Sequence, residues 1–182
     1  MTKRSIIRIG VALAIAFAIP TVAKASPVVS GQWYCFSFGG PGSFGHYSGC
    51  EDLVGLSIPA PGAPWTYMGA GTMTVLDGYL HGDRFELFDG AGSLGLTSVP
   101  GGPGGCYASI TACLADPDAS KGTFAFGAGL HSFKIQAVDS PFGGGDAWFR
   151  IDEPATVPEP ASLGLLATGL LGIVAVARRR RA

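Results

Sequence analysis

The amino-acid sequence predicts an all-β protein. The expected body is a single antiparallel β-sandwich of jelly-roll-like character over residues 26–152, between an N-terminal secretory signal peptide (1–25) and a C-terminal single transmembrane helix (161–177). Three observations carry that expectation. Short β-branched and aromatic runs alternate with Gly/Pro turns, and within them apolar residues recur with period two. Glycine supplies 29 of 182 residues, and each glycine inside a helix costs about 1 kcal/mol relative to alanine, so a helical bundle is disfavoured. Uncharged apolar runs stand near both ends of the sequence, each beside a basic cluster. Low charge (14%) with 10% aromatics excludes a disordered polyelectrolyte. The glycines follow no Gly-X-Y period, which excludes collagen.

Taken in order, Lys3, Arg4 and Arg8 form a positive leader ahead of Ile9–Ile19, eleven residues without a charge. That run is too short to cross a hydrocarbon core of about 30 Å. Ala23-Lys24-Ala25 then offers small residues at the two positions a signal peptidase reads, so cleavage is expected after Ala25.

The mature region reads as seven strands. Gln32–Phe38 places Trp33, Cys35 and Ser37 on one face and Tyr34, Phe36 and Phe38 on the other. Trp65–Asp77 is the longest candidate, with Met73 and Val75 opposite Thr72, Thr74 and Leu76. Arg84–Asp89 points Phe85 and Leu87 inward, and Asp89-Gly90 is a tight hairpin signal into Ser93–Ser98. Gly122–Phe126, Ser132–Val138 and Ala147–Ile151 complete the set, the last two with unbroken apolar faces of period two. Ser57–Pro64 and Val99–Gly105 are Pro/Gly-rich and read as irregular loops. No stretch shows a helical period.

Residues 153–160 form a linker that ends in Pro158-Glu159-Pro160. Ala161–Ala177 follows as a seventeen-residue uncharged run, and Arg178, Arg179, Arg180 and Arg181 begin a basic tail over 178–182. At 1.5 Å per residue the run reaches about 25 Å, the short end of a spanning helix, and the arginines place its far end in the cytoplasm. Pro-Glu-Pro, a Leu/Ala/Gly-rich apolar segment and a terminal arginine cluster, in that order, resemble the PEP-CTERM sorting signal. The resemblance covers Val157–Ala182. It implies an exosortase, a membrane cysteine peptidase, as a partner that cleaves near the motif, and a Gram-negative host that makes exopolysaccharide. It further implies transient anchoring in the inner membrane before the protein reaches the surface or the medium. Gly82–Asp89 with Leu94–Ser98, Lys121–Phe124 with Gly127–His131, and Ser140–Gly143 with Ala147–Arg150 are similar to segments of PEP-CTERM ectodomains. That second resemblance implies a fold and no chemistry.

Between Ser26 and Val157 only Arg84, Lys121, Lys134 and Arg150 are basic, against twelve acidic residues, so the mature region carries about −8 while the whole chain reads −1. Such a surface disfavours nucleic acid and anionic lipid as partners. The four cysteines, Cys35, Cys50, Cys106 and Cys113, are an even set in an exported region and read as disulfides. Three pairings are open, of which the local ones, Cys35–Cys50 and Cys106–Cys113, are preferred. No CxxC pair supports metal binding.

Catalytic signals are sparse. His46, His81 and His131 are scattered, and His81 beside Gly82-Asp83 is read as a turn in preference to a His–Asp pair. Ser48-Gly49 and Ser140-Pro141 supply serines with no base in view, and Gly69-Ala70-Gly71 is not followed by a helix as a dinucleotide loop would be. Asp83, Glu86 and Asp89 are read as a solvated strand face in preference to a Ca²⁺ site, and Asp116-Pro117-Asp118 as a turn. Trp65, Tyr67, Tyr79 and Trp148 either stack sugars or fill a core, and the core is preferred. The leading expectation is a non-enzymatic exported surface or matrix protein associated with extracellular polysaccharide, with no cofactor, metal or catalytic residue. A carbohydrate-binding module, needing two exposed Trp or Tyr on one face, is the alternative; an exported hydrolase ranks third.

Overall fold

Alternating side chains build the two layers of the fold. The computed structural model describes residues 26–47, 50 and 52–155. The signal peptide, Ser48-Gly49, the Pro-Glu-Pro motif, the transmembrane helix and the arginine tail expected above lie outside the described residues. One sheet contains, in spatial order, β1 (Ser26–Pro27), β4 (Trp65–Met68), β11 (Leu130–Asp139), β7 (Arg84–Asp89) and β8 (Gly92–Leu96). The other contains β10 (Lys121–Phe126), β5 (Gly71–Asp77), β12 (Gly144–Asp152), β2 (Trp33–Gly39) and β3 (Ser57–Pro59). Four nested antiparallel pairs, β2 with β12, β4 with β11, β5 with β10 and β7 with β8, wind the chain between the sheets. That winding is the connectivity of a jelly roll.

The inward faces match the alternation in the sequence. Tyr34, Phe36 and Phe38 of β2, Phe149 and Ile151 of β12, and Met73 and Val75 of β5 meet Trp65, Phe85, Leu87, Phe133 and Ile135 from the opposite sheet. At the centre, the Phe149 ring lies 4.5 Å from Trp65, 5.2 Å from Tyr34 and 6.0 Å from Phe36, centroid to centroid. Tilted and offset aromatic contacts of this kind contribute about 0.5–1.5 kcal/mol each beyond their buried area.

Four expectations need correction. Trp65–Asp77 is two strands in different sheets, because Gly69 at φ 135° lets the chain turn out of β4 and cross the core. Gly71, the first residue of β5, has no room for a side chain: a Cβ there would stand 2.7 Å from the Asp152 carbonyl oxygen. The sheets are not wholly antiparallel, since β1 runs parallel to β4 and β3 parallel to β2 at two edges. The second of these strands lies within Ser57–Pro64, expected to be irregular; Pro59, facing Cys35, ends a strand only three residues long. A helix, α1 (Ile110–Ala115), also appears where none was expected. Its six residues are too few to display a period; Ser109 caps it by accepting the Ala112 N–H, and Ile110 and Cys113 anchor one side.

The helix belongs to a lid over the outer face of the second sheet. With β6 (Tyr79–Leu80) and β9 (Gly105–Tyr107), paired as a small sheet, it covers a second cluster: Trp33, Cys35, Leu76, Trp148, Ile110 and both cystines. Beneath the lid the second sheet is therefore buried on both faces. The cysteines pair locally, Cys35–Cys50 and Cys106–Cys113, with Cα separations of 5.8 and 4.9 Å. Both fall in the usual range of about 4.4–6.8 Å. Cys106–Cys113 ties β9 to α1, so replacing both by serine costs about 2–3 kcal/mol by the chain-entropy relation for so short a loop. An unfolding free energy from urea titration lowered by that amount, with no cysteine alkylated in the unreduced wild type, is the expected result; prompt alkylation of any cysteine would contradict it.

Candidate functional site

Strand parity decides where each polar candidate sits. Asp89 ends β7 in phase with Phe85 and Leu87, and His131, the second residue of β11, is in phase with Phe133 and Ile135, so both reach the inward face at one end of the sandwich. His131 Nδ1 lies 2.7 Å from Asp89 Oδ2 and Nε2 lies 2.8 Å from the Gly127 carbonyl oxygen. Both ring nitrogens thus face acceptors, which suits the doubly protonated imidazolium. Burial works against charge on His131, but the bonds to Asp89 and Gly127 outweigh it and raise the pKa above 6.5. Burial likewise opposes ionisation of Asp89, yet His131 and the Ser132 N–H bring it below 3.8.

These shifts set a pH window. The raised histidine contributes stability that is full below about pH 6.5 and is lost as pH rises through its folded value. The lowered aspartate contributes stability above about pH 4 that is lost as pH falls through its own folded value. The pair's share of the urea midpoint, read as wild type minus His131→Gln, should therefore be greatest between about pH 4 and 6.5 and decline towards pH 8. A difference that does not decline above about pH 6.5 would remove the pair from the account.

His81 does not pair with Asp83. Its Nε2 lies 3.1 Å from Asp116 Oδ2, so β6 is bound to the segment after α1. Asp116-Pro117-Asp118 forms the expected turn, the Asp118 N–H donating to Asp116 Oδ1 at 2.9 Å. One ligand atom each from His81, Asp116 and Asp118 falls within 4.8 Å of the others. A cation there would displace the His81–Asp116 hydrogen bond that fastens the lid. Lys121 Nζ adds bonds to the Leu114 and Asp116 carbonyl oxygens, so this corner is a structural clasp. His46 is exposed, and its N–H donates to the Ser37 carbonyl at 2.9 Å.

Asp83, Glu86 and Asp89 do not form one face. Glu86 points outward, where Ser93 Oγ donates to it. Asp89 turns to His131, and Asp83 is 4% exposed at the opposite end of the sandwich, in electrostatic contact with Asp77. Asp77 was not singled out in the sequence, although its parity with Met73 and Val75 places it inward.

The tryptophans form no sugar platform. Trp65 is fully buried in the sandwich core and Trp148 is fully buried beneath the lid, with Tyr67 8% exposed and Tyr79 stacked on Trp148 at 5.8 Å. These rings lie in different layers, so the four do not share a face. The carbohydrate-binding alternative loses the platform on which it rested.

The two limits of the described chain meet. β1 starts at Ser26, whose N–H donates to Pro64 O, and the Gly31 N–H donates to Ile151 O at 2.7 Å. Ser30 Oγ and the Tyr67 hydroxyl both donate to Glu153 Oε1. A shallow cleft of about 470 Å³ at this junction is lined by Val28, Tyr67, Met68 and Glu153 among others. Cleavage after Ala25 would leave β1 whole. The chain leaves the sandwich at Asp152, six residues ahead of Pro158, a reach of at most about 22 Å.

A disulfide-bonded β-sandwich thus stands directly before the C-terminal segment that the sequence marks as a sorting signal. Residues 156–181 match the family model of the PEP-CTERM protein-sorting motif. The chain carries that motif and is an exported protein of the exosortase-sorted kind. No curated protein and no solved structure matches the chain. Pro158, Glu159, Pro160 and Arg178–Arg181 fall within the matched span.

Proposed function

We propose that this is a non-enzymatic surface or matrix protein of a Gram-negative bacterium. A signal peptidase removes residues 1–25, and residues 161–177 hold the chain in the inner membrane with Arg178–Arg181 on the cytoplasmic side. An exosortase-type peptidase then cleaves near Pro158-Glu159-Pro160, and the freed sandwich stays among extracellular polysaccharide. The observation that carries the reading is the PEP-CTERM motif at residues 156–181, immediately after a folded domain. Two disulfides support it, because such bonds persist in oxidising compartments outside the cytoplasm.

The experiment is fractionation of cells with and without the matching exosortase, followed by sedimentation of the released protein with cell-free matrix polysaccharide. Release that depends on the peptidase, with co-sedimentation lost after the polysaccharide is digested, is the expected outcome. Release without the peptidase would remove the sorting step, and a protein that stays soluble beside intact polysaccharide would remove the matrix role.

A further inference from the structure

Asp77 and Asp83 are a pair of buried acids with no cationic partner among the described residues. Asp77 ends β5 opposite Ala147 of β12, while the chain exits at Asp152 opposite Thr72, so the acids lie at the end of the sandwich remote from the exit. Asp77 is 1% exposed and Asp83 4%. Both carboxylate oxygens of Asp77, Oδ1 of Asp83 and the hydroxyl of Ser140, itself 7% exposed, are buried without a well-formed hydrogen bond; the nearest polar groups are the N–H groups of Gly78, Asp83 and Gly82 beside Asp77 and the Ser140 hydroxyl beside Asp83. The ion pairs among the described residues are His81–Asp116, His131–Asp89 and Arg150–Asp152, and none includes these acids. Arg84, next in sequence to Asp83, instead donates its Nε–H to the Thr97 carbonyl.

Isolated buried carboxylates are costly, and the usual remedies are a proton, a cationic side chain or a metal ion. Burial, then the neighbouring charge of Asp83, pushes the Asp77 carboxyl up to about 8 in the metal-free protein, with the N–H groups of Gly78, Asp83 and Gly82 offsetting part of the rise. Burial also raises Asp83, against which the nearby Ser140 hydroxyl favours the anion. Space for a ligand adjoins Asp83. Asp83, Asp146, Gly144 and Gly145 line a cavity of about 130 Å³ together with Gly78 and Tyr79. That is room for roughly four water-sized ligands at ~30 Å³ each. Glycine keeps the wall open, since a Cβ on Gly145 would stand 3.5 Å from Asp83 Oδ2.

The geometry points to a Ca²⁺ site formed by the carboxylates of Asp77 and Asp83 and the hydroxyl of Ser140, reached through the cavity that Asp83 and Asp146 line. The donors are all oxygen, which selects a hard cation over Zn²⁺ or Cu²⁺. Ca²⁺ accepts about six to eight oxygens in flexible geometry and can complete its shell with water in the cavity, whereas Mg²⁺ demands a near-ideal octahedron. Extracellular modules commonly bind Ca²⁺ in the range of about 10⁻⁴–10⁻³ M, which suits an exported domain. The ion would join β5, the segment leading into β7 and the turn after β11, which are otherwise held here against like charge.

The test uses the protein as recovered from the extracellular fraction, purified with both disulfides formed, stripped with EDTA and then titrated with CaCl₂ or MgCl₂. At CaCl₂ a hundredfold above its dissociation constant, the melting temperature should rise by about 5–10 °C, with a smaller rise in MgCl₂. Asp77→Asn keeps the shape and removes a charge, so it should melt higher than wild type in EDTA and lower than wild type in CaCl₂. Asp83→Asn should likewise lose the Ca²⁺ response, with circular dichroism confirming the fold of both variants. Tb³⁺ offers an independent readout through Trp148, whose ring packs on Gly78: emission sensitised by tryptophan should appear in wild type and vanish in Asp77→Asn. A wild type indifferent to Ca²⁺, or variants that keep the full shift, would overturn the proposal and leave two carboxyls sharing a proton.

Discussion

Truncating Phe149 to alanine lowers the stability of the folded domain by about 3–5 kcal/mol. Phe149 is fully buried and sits where β2, β12 and β4 converge, in ring contact with Tyr34, Phe36 and Trp65. Removing it withdraws a large apolar surface from the core and leaves a void that three aromatic neighbours cannot close without leaving their rotamers. Since domains of this size are stable by only about 5–15 kcal/mol, the loss is a large fraction of the total. Urea unfolding followed by tryptophan fluorescence should show a lower midpoint with unchanged slope. Leu96→Ala, at an edge residue 46% exposed, should change the midpoint little. Equal effects of the two substitutions would mean that the aromatic cluster is not the centre of the core.

Replacing Pro158 and Pro160 by alanine leaves most of the protein in the membrane fraction, where wild type is released. Each proline fixes φ near −65° and biases the preceding residue to extended backbone, which keeps the motif from joining the apolar segment as helix. Alanine has the highest helix propensity, so the substitution favours a helix running through the peptide the exosortase must reach. Asp152 ends the last strand only six residues ahead of Pro158, so a helix propagated upstream through the motif would draw on that short connection. Fractionation of both forms in a host with the matching peptidase decides it. Equal release would show that the prolines do not present the motif, and a retained wild type would favour a permanent anchor.

Much of the sandwich was legible because period two exposes the inward face directly. Tyr34, Phe36 and Phe38, then Phe133, Ile135 and Ala137, then Ala147, Phe149 and Ile151, are core residues as the alternation required. The split of Trp65–Asp77 was less visible, because both halves are apolar and only the Gly69-Ala70-Gly71 interruption marks the passage between sheets. The lid was hidden for a different reason. Its helix spans six residues, and what it covers comes from the opposite phase of β2, β5 and β12: Trp33 and Cys35, Leu76, Trp148. Apolar residues on both faces of Gln32–Phe38 were the available signal that this strand is buried twice.

The polar sites followed the same rule, which spacing along the chain obscured. Asp83, Glu86 and Asp89 look like a cluster in sequence, yet Asp83 and Asp89 share the phase of Phe85 and Leu87 while Glu86 opposes it. Inward-phase charges at strand ends mark the two ends of the sandwich: Asp77 with Asp83 at one, Asp89 with His131 at the other. His81 found Asp116 across 35 residues, a pairing that depends on how the lid folds back and that no local pattern announces. The sorting motif at residues 156–181 was legible because it is a linear pattern that no tertiary fold has to assemble.

Sorting through the C-terminal motif is tested most directly by the mature termini of the protein recovered from the extracellular fraction. Intact-mass spectrometry, with terminal peptides sequenced, should find a chain that begins at Ser26 and lacks Ala161–Ala182. An extracellular protein that begins at Met1, or that still carries Arg178–Arg181, would contradict it.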